Sequence, residues 1–194
     1  MKNLILNTLN ESIAIKNKML EDISLIENIE RSALAIIDSI KNEGKLIVCG
    51  NGGSAGDAQH IAGEFINKFY YDRPAMPCIS LSTDTSVITA IGNDSTFEDI
   101  FYKQISALGR KGDVFLGIST SGNSKNIIKA IEYCKKSHIK TIAIVGSKDC
   151  AMSNISDLTI HIPSTITPRI QECQLIVEHI LCQIVEMYIF PKER

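Results

Sequence analysis

The sequence predicts a doubly wound α/β fold, with a mainly parallel five-stranded sheet flanked by helices and a helical N-terminal extension. Short Val/Ile/Leu-rich runs such as Thr141-Ile142-Ala143-Ile144-Val145 suit strands buried on both faces of a parallel sheet. Helical segments alternate with these runs, as in a layered α/β sandwich. Two of the runs end in glycine- or hydroxyl-rich turns that open helices, the arrangement found at the carboxyl ends of strands in open α/β sheets.

In chain order, two amphipathic helices over about 3–25 and 28–43 form the extension, residues 1–43. Strands follow near 45–49, 77–82, 113–118, 140–145 and 157–162. Gly44-Lys45 and Gly112-Asp113 punctuate two of the strand entries. Helices are expected near 54–68, 98–107 and 124–136, with a last one over about 168–189. Pro163 and Pro168 bracket Ser164–Thr167, a short ordered connection that delivers this helix. Without internal repeats or a break in composition, residues 1–194 read as a single domain whose α/β core and C-terminal helix span 44–194.

Composition excludes several classes of function. At 194 residues and 44% hydrophobic, the chain can bury a full core. A net charge of -2 without a Lys/Arg cluster argues against a nucleic-acid surface. The six cysteines, at 49, 78, 134, 150, 173 and 182, show no CxxC spacing, and most lie within apolar patterns. They read as buried thiols of a reducing compartment, with no disulfide framework and no cysteine metal site. Asn7, Asn10 and Glu11 interrupt any signal-like apolar stretch, and nowhere do 18 apolar residues run together. The expectation is a cytoplasmic protein without a membrane partner.

The most informative segment is Ile118-Ser119-Thr120-Ser121-Gly122-Asn123-Ser124, which follows the apolar run Asp113–Ile118. Hydroxyls donate hydrogen bonds without a titrating charge, Gly122 permits a tight turn, and a helix opening near Asn123–Ser124 offers unpaired N–H groups. Together they suit a phosphoryl group, although an ordinary Ser/Thr/Gly turn with a helix cap has the same composition. A second loop, Cys49-Gly50-Asn51-Gly52-Gly53-Ser54, also closes an apolar run and opens a helix. It lacks the Gly-x-Gly-x-x-Gly spacing and no Gly-Lys-Ser/Thr follows, so nucleotide binding is not indicated.

The helix from Ser54 carries His60 and Glu64, four residues apart and so on one face. Such a pair is either a solvated surface interaction or part of a site. On the last helix Gln171 and His179, eight residues apart, are offset by roughly 80° and can address one pocket or form a polar stripe at an interface. His138 at a helix end and His161 in a strand read as structural, since neither has an evident partner. Asp84 either caps a short helix after Thr83 or positions substrate hydroxyls.

Taken together, the motifs resemble the sugar isomerase (SIS) family, and within it the phosphoheptose isomerases. The resemblance spans nearly the whole chain, through Cys49–Ala55, Asp57-Ala58-Gln59-His60, Thr83-Asp84-Thr85, Ala90–Asp94, Gly117–Ser124 and Arg169-Ile170-Gln171-Glu172 in matching order. It implies that Asn51, Gly52, Gly53, Asn93, Asp94, Ser119, Thr120, Ser121, Ser124 and Gln171 bind a sugar phosphate, with Glu64 also at the substrate. Glu64 and His179 match the acid/base pair, and His60, Glu64, Gln171 and His179 match a zinc site of one ion per subunit. A homotetramer with pockets near subunit boundaries is implied as well. Two positions depart from the family pattern: Lys68 stands where Arg is frequent, and Gln174 where His is frequent. A lysine offers a point charge instead of a planar fork, and a glutamine shuttles no protons, so no relay or metal role is carried to Gln174.

The activity implied is aldose–ketose isomerisation of sedoheptulose 7-phosphate, feeding heptose into a cell-surface polysaccharide. Moving a proton between adjacent carbons through a cis-enediol takes a base at carbon and a group exchanging protons with the oxygens. Glu64 is assigned to carbon and His179 to oxygen; the reverse assignment, or polarisation by a metal, fits the same residues. The alternatives are a non-catalytic SIS protein that binds a replication-initiation partner and an SIS isomerase for another sugar phosphate. The presence of both Glu64 and His179 speaks against the first.

Overall fold

In a computed structural model that describes residues 1–192, two helices precede a single five-stranded sheet. They are α1 (Lys2–Glu21) and α2 (Ile23–Lys41), and the break between them falls at Asp22, earlier than the sequence predicted. Its cause is local: Asp22 has extended backbone and its carboxylate accepts the Leu25 N–H at 3.0 Å, capping α2.

The sheet is built from β1 (Leu46–Gly50), β2 (Cys78–Ser80), β3 (Val114–Ser119), β4 (Lys140–Val145) and β5 (Leu158–His161). All pairings are parallel in the order β2-β1-β3-β4-β5. Alternate strand residues serve opposite cores. Leu46, Val48, Leu116, Ile142 and Ile144 pack with Ile36, Phe65 and Val177 on one side. Ile47, Cys49, Phe115, Ala143 and Val145 meet Phe101, Ile127 and Ile131 on the other. Burial on both faces explains why the strands read as unbroken apolar runs.

The remaining helices are α3 (Gly53–Ile66), α4 (Thr85–Asp94), α5 (Ile100–Leu108, after a 3₁₀ turn at Phe97–Asp99), α6 (Lys125–Lys136), α7 (Ala151–Ile155) and α8 (Thr167–Ile189). Asp84 caps α4 by accepting the Val87 N–H at 3.0 Å, the first of its two readings. His138, with φ 56°, lies just past the end of α6 in the left-handed region, and His161 Nδ1 lies 3.1 Å from the Gly146 carbonyl. All six cysteines are free and buried. No helix among the described residues is long and apolar enough to cross a membrane.

Topology places the candidate site. The chain leaves β1 toward β2 on one side and returns to β3 on the other, so the β1–β3 boundary is the switch point where ligands bind in such sheets. Gly50 pairs with Ile118 there, which sets the loops after β1 and β3 side by side.

Candidate active site

At the end of β1 the backbone turns sharply into α3. A Cβ on Gly50 would collide with the Ser54 backbone, and Gly52 adopts φ 57° with ψ -120°, a conformation open to glycine. No side chain caps α3; the Ser54 and Ala55 N–H groups turn back to the Asn51 and Gly52 carbonyls, each at 3.1 Å, which tightens the loop. Asn51 does not reach out alone. Its amide exchanges two hydrogen bonds with Asn126 on α6, at 3.0 and 2.9 Å, which locks the β1 loop to the β3 loop. Asn126 was not foreseen from sequence, since a contact across 75 residues leaves no local pattern.

The β3 loop is an ordered cradle. Ser119 Oγ accepts the Gly122 N–H at 3.1 Å and lies 3.0 Å from Ser124 Oγ. Each hydroxyl carries one proton, so in either orientation of the pair one proton is left to donate outward. Ser124 begins α6 without capping it through its side chain, which keeps its hydroxyl available. Gly122 has φ 63°, and a Cβ there would strike Cys150. Thr120 and Ser121 line a cavity of about 280 Å³ together with Ser147, Lys148 and Thr165.

Helices α3 and α8 lie alongside one another and run in the same direction. Gly53 sits against the Gln171 amide, where a Cβ would overlap it, and about two turns further His60 meets His179. The two Nε2 atoms are 2.9 Å apart, so one ring donates and the other accepts. Glu64 Oε1 lies 3.5 Å from His60 Nε2, one turn away on the same face, with His60 half-exposed and Glu64 less so. Phe69 packs its ring on His179, with centroids 5.4 Å apart.

The structure therefore unites His60, Glu64 and His179, and puts Gln171 with Gly53 about two turns nearer the cradle. Asn93 and Asp94 lie exposed at the C-terminal end of α4, where Asn93 donates to Asp94 at 2.8 Å. No hydrogen bond among the described residues joins them to the two loops. Gln174 is buried and donates to the Ile144 carbonyl at 3.2 Å, a packing role. Lys68 stands exposed just beyond α3.

Two imidazole nitrogens and a carboxylate oxygen are donors of the kind zinc takes. Among the described residues no three His, Cys, Asp or Glu side chains stand as a formed cage. The donor chemistry fits a zinc ion; the fourth expected ligand, Gln171, points its amide at Gly53.

Behind this cluster lies a buried acid that sequence reading passed over. Glu178 is fully buried and neither carboxyl oxygen has a hydrogen-bond partner among the described residues. Burial pushes its pKa up to about 8, and Asp57 on α3 pushes the same way. Burial also raises Asp57, against a lowering by His60.

The SIS domain family model matches residues 10–146. Phosphoheptose isomerase 2 of Campylobacter jejuni is 52% identical over 94% of this chain and 90% of its own length. The phosphoheptose isomerase of Aneurinibacillus thermoaerophilus is 47% identical over 98% and 96%. Among solved structures, that of the Neisseria gonorrhoeae phosphoheptose isomerase superposes with a TM-score of 0.89 at 36% identity, covering 95% of this chain and 98% of the other. With a family model over most of its length and relatives this similar, the chain belongs to the SIS-domain family, in its phosphoheptose isomerase branch.

Proposed function

We propose that this protein is an aldose–ketose isomerase that converts sedoheptulose 7-phosphate to D-glycero-D-manno-heptose 7-phosphate. The observation that carries the reading is the meeting of Glu64 and His179 through His60, on two helices that run side by side away from the loop next to the hydroxyl cradle. Gly53 and His60 are seven residues apart on α3, roughly 10 Å of helix. A phosphate held at the loops thus lies well away from the reacting carbons, as a long sugar requires.

Ser119, Thr120, Ser121 and Ser124, with the helix N-termini, hold the phosphate and supply binding energy for orientation. Asn93, Asp94 and Gln171 contact sugar hydroxyls. Glu64 removes the proton from the carbon beside the carbonyl, and His179 exchanges protons with the neighbouring oxygens of the enediol. His60, hydrogen-bonded to His179, helps hold the orientation of that ring.

A zinc ion is part of the proposal, one per subunit, held by His60, Glu64, Gln171 and His179. When bound, it would supply Lewis-acid polarisation of the substrate oxygens. Elemental analysis is expected to find zinc in the purified protein and to lose it in His60→Ala. A protein free of zinc that turns over fully would remove the metal from the account.

We also place the protein in the cytoplasm, in line with six buried free thiols, as a homotetramer whose product enters a cell-surface polysaccharide. The direct test is incubation of the purified protein with a panel of ketose phosphates. Sedoheptulose 7-phosphate is expected to be converted fastest; its recovery unchanged beside a converted five- or six-carbon ketose phosphate would reassign the substrate.

A further inference from the structure

We infer that Arg73 and Glu186 are positioning residues that fix the separation between Glu64 on α3 and His179 on α8. The inference rests on the acid–base roles proposed for those two residues. Glu186 follows His179 by seven residues, about two turns, and so shares its face of α8. Its side chain and that of Arg73 are both buried, at 0% and 2% exposure.

From this one carboxylate the contacts run to both halves of the pair. Glu186 Oε1 accepts Arg73 Nε at 3.0 Å. The two terminal nitrogens of Arg73 reach back to the end of α3, Nη2 donating to the carbonyl of Glu64 itself at 2.8 Å and Nη1 to that of Phe65 at 2.6 Å. These are last-turn carbonyls that the helix leaves unpaired, and a cation there suits the helix dipole. Glu186 also accepts the backbone N–H groups of Phe69 and Tyr70, each at 2.8 Å. Phe69 is the residue whose ring rests on His179. The Glu64 backbone and the wall behind the His179 imidazole are therefore tied to the same buried group.

A purely stabilising role is a weak explanation for this pair. Buried ion pairs are frequently replaceable by apolar residues without loss of stability, because desolvation offsets their attraction. What apolar residues cannot reproduce is the fork that holds two adjacent carbonyls while paired to the neighbouring helix. An acid–base pair carried on separate helices needs such a link, since small misplacements cost large factors in rate.

The test is steady-state kinetics of Glu186→Gln and Arg73→Lys at matched metal content, well below the melting temperature of each variant, with folding checked by circular dichroism. Glu186→Gln keeps the shape and weakens the hold on Arg73; Arg73→Lys keeps the charge and loses the fork. Both are expected to lower kcat by about tenfold or more while KM for the sugar phosphate changes by less than about threefold. Combined, they should lose little more than either alone, because they break one chain of contacts. A lowered melting temperature with kcat within about twofold of wild type would overturn the inference, as would a rise in KM alone. Should neither variant fold, Phe69→Leu decides: it leaves the backbone N–H in place and removes the ring against His179, and an unchanged kcat would equally overturn the inference. Glu64→Gln serves as the separate control, because wild-type turnover in that variant would remove the acid–base assignment itself.

Discussion

At the scale of single residues, the site depends on groups whose protons are placed by their neighbours. The Ser119–Ser124 pair uses one of its two hydroxyl protons internally and leaves the other uncommitted. Ser124→Ala is therefore expected to weaken phosphate binding by about 2 kcal/mol, roughly 30-fold in KM if chemistry is slow, without unfolding the chain. An unchanged KM would return the loop to an ordinary turn. Glu178 provides a test by pH. Its folded pKa, near 8, lies above the ordinary value of 4.5, so the folded state holds a proton that the unfolded chain has released between those values. Wild-type stability must then fall as pH rises from about 4.5 to about 8. Glu178→Gln removes that slope, so its melting temperature should gain on wild type steadily over that window. Parallel curves for the two proteins would mean that Glu178 is ionised in the fold. Glu186 behaves oppositely. Burial alone would raise its pKa, but the Phe69 and Tyr70 amides and Arg73 outweigh it and hold the carboxyl below the usual range. Its contribution is present above the ordinary carboxylate pKa and is lost as pH falls through the lowered value.

Elements were legible where burial imposes a period. The strands announced themselves because both faces are covered, and α3, α6 and α8 because an apolar stripe meets the sheet. Other elements were legible only in part. Helix α4 has no buried residue, so only its cap, Asp84, marked it. Helix α7 spans five residues, too few for any helical period to register. The division between α1 and α2 was misplaced because a single capping carboxylate, Asp22, decides it. Within the site, the loops and the polar rows on α3 and α8 could be read from spacing. Asn126, Arg73 and Glu186 could not, since they act through contacts 75 and 113 residues apart. The cap on α4 gives a direct check: Asp84→Ala should cost about 1 kcal/mol, a drop of roughly 2–4 °C in Tm by thermal denaturation. No change would mean that α4 is held by contacts other than its cap.

At the scale of the whole molecule, one chain leaves a large apolar surface uncovered. Leu4, Ile5, Leu9 and Ile13 on α1, with Ile23 and Ile26 on α2, are between 47% and 71% exposed. An apolar groove of about 290 Å³ beside them is lined by Met19, Leu20, Leu25, Ile26, Ile176 and Ile180. Exposed apolar area on this scale marks association. Light scattering at micromolar concentration should find four times the 21.4 kDa chain mass, about 86 kDa. A monomer would contradict the assembly. Glu64 and His179 are both partly exposed in one chain, as pockets closed near a subunit boundary require, so dilution below the dissociation constant should lower activity together with mass.

The measurement that reaches the central claim most directly is solvent deuterium exchange during turnover of sedoheptulose 7-phosphate. In heavy water, wild-type protein should return substrate labelled at the carbon that loses its proton and product labelled at the neighbouring carbon that gains one. Glu64→Gln should lose exchange and turnover together, by about 10²–10⁴-fold, while still binding the phosphorylated sugar. Exchange at the wild-type rate in Glu64→Gln would contradict the assignment of the carbon base and the reading of the α3–α8 cluster built on it.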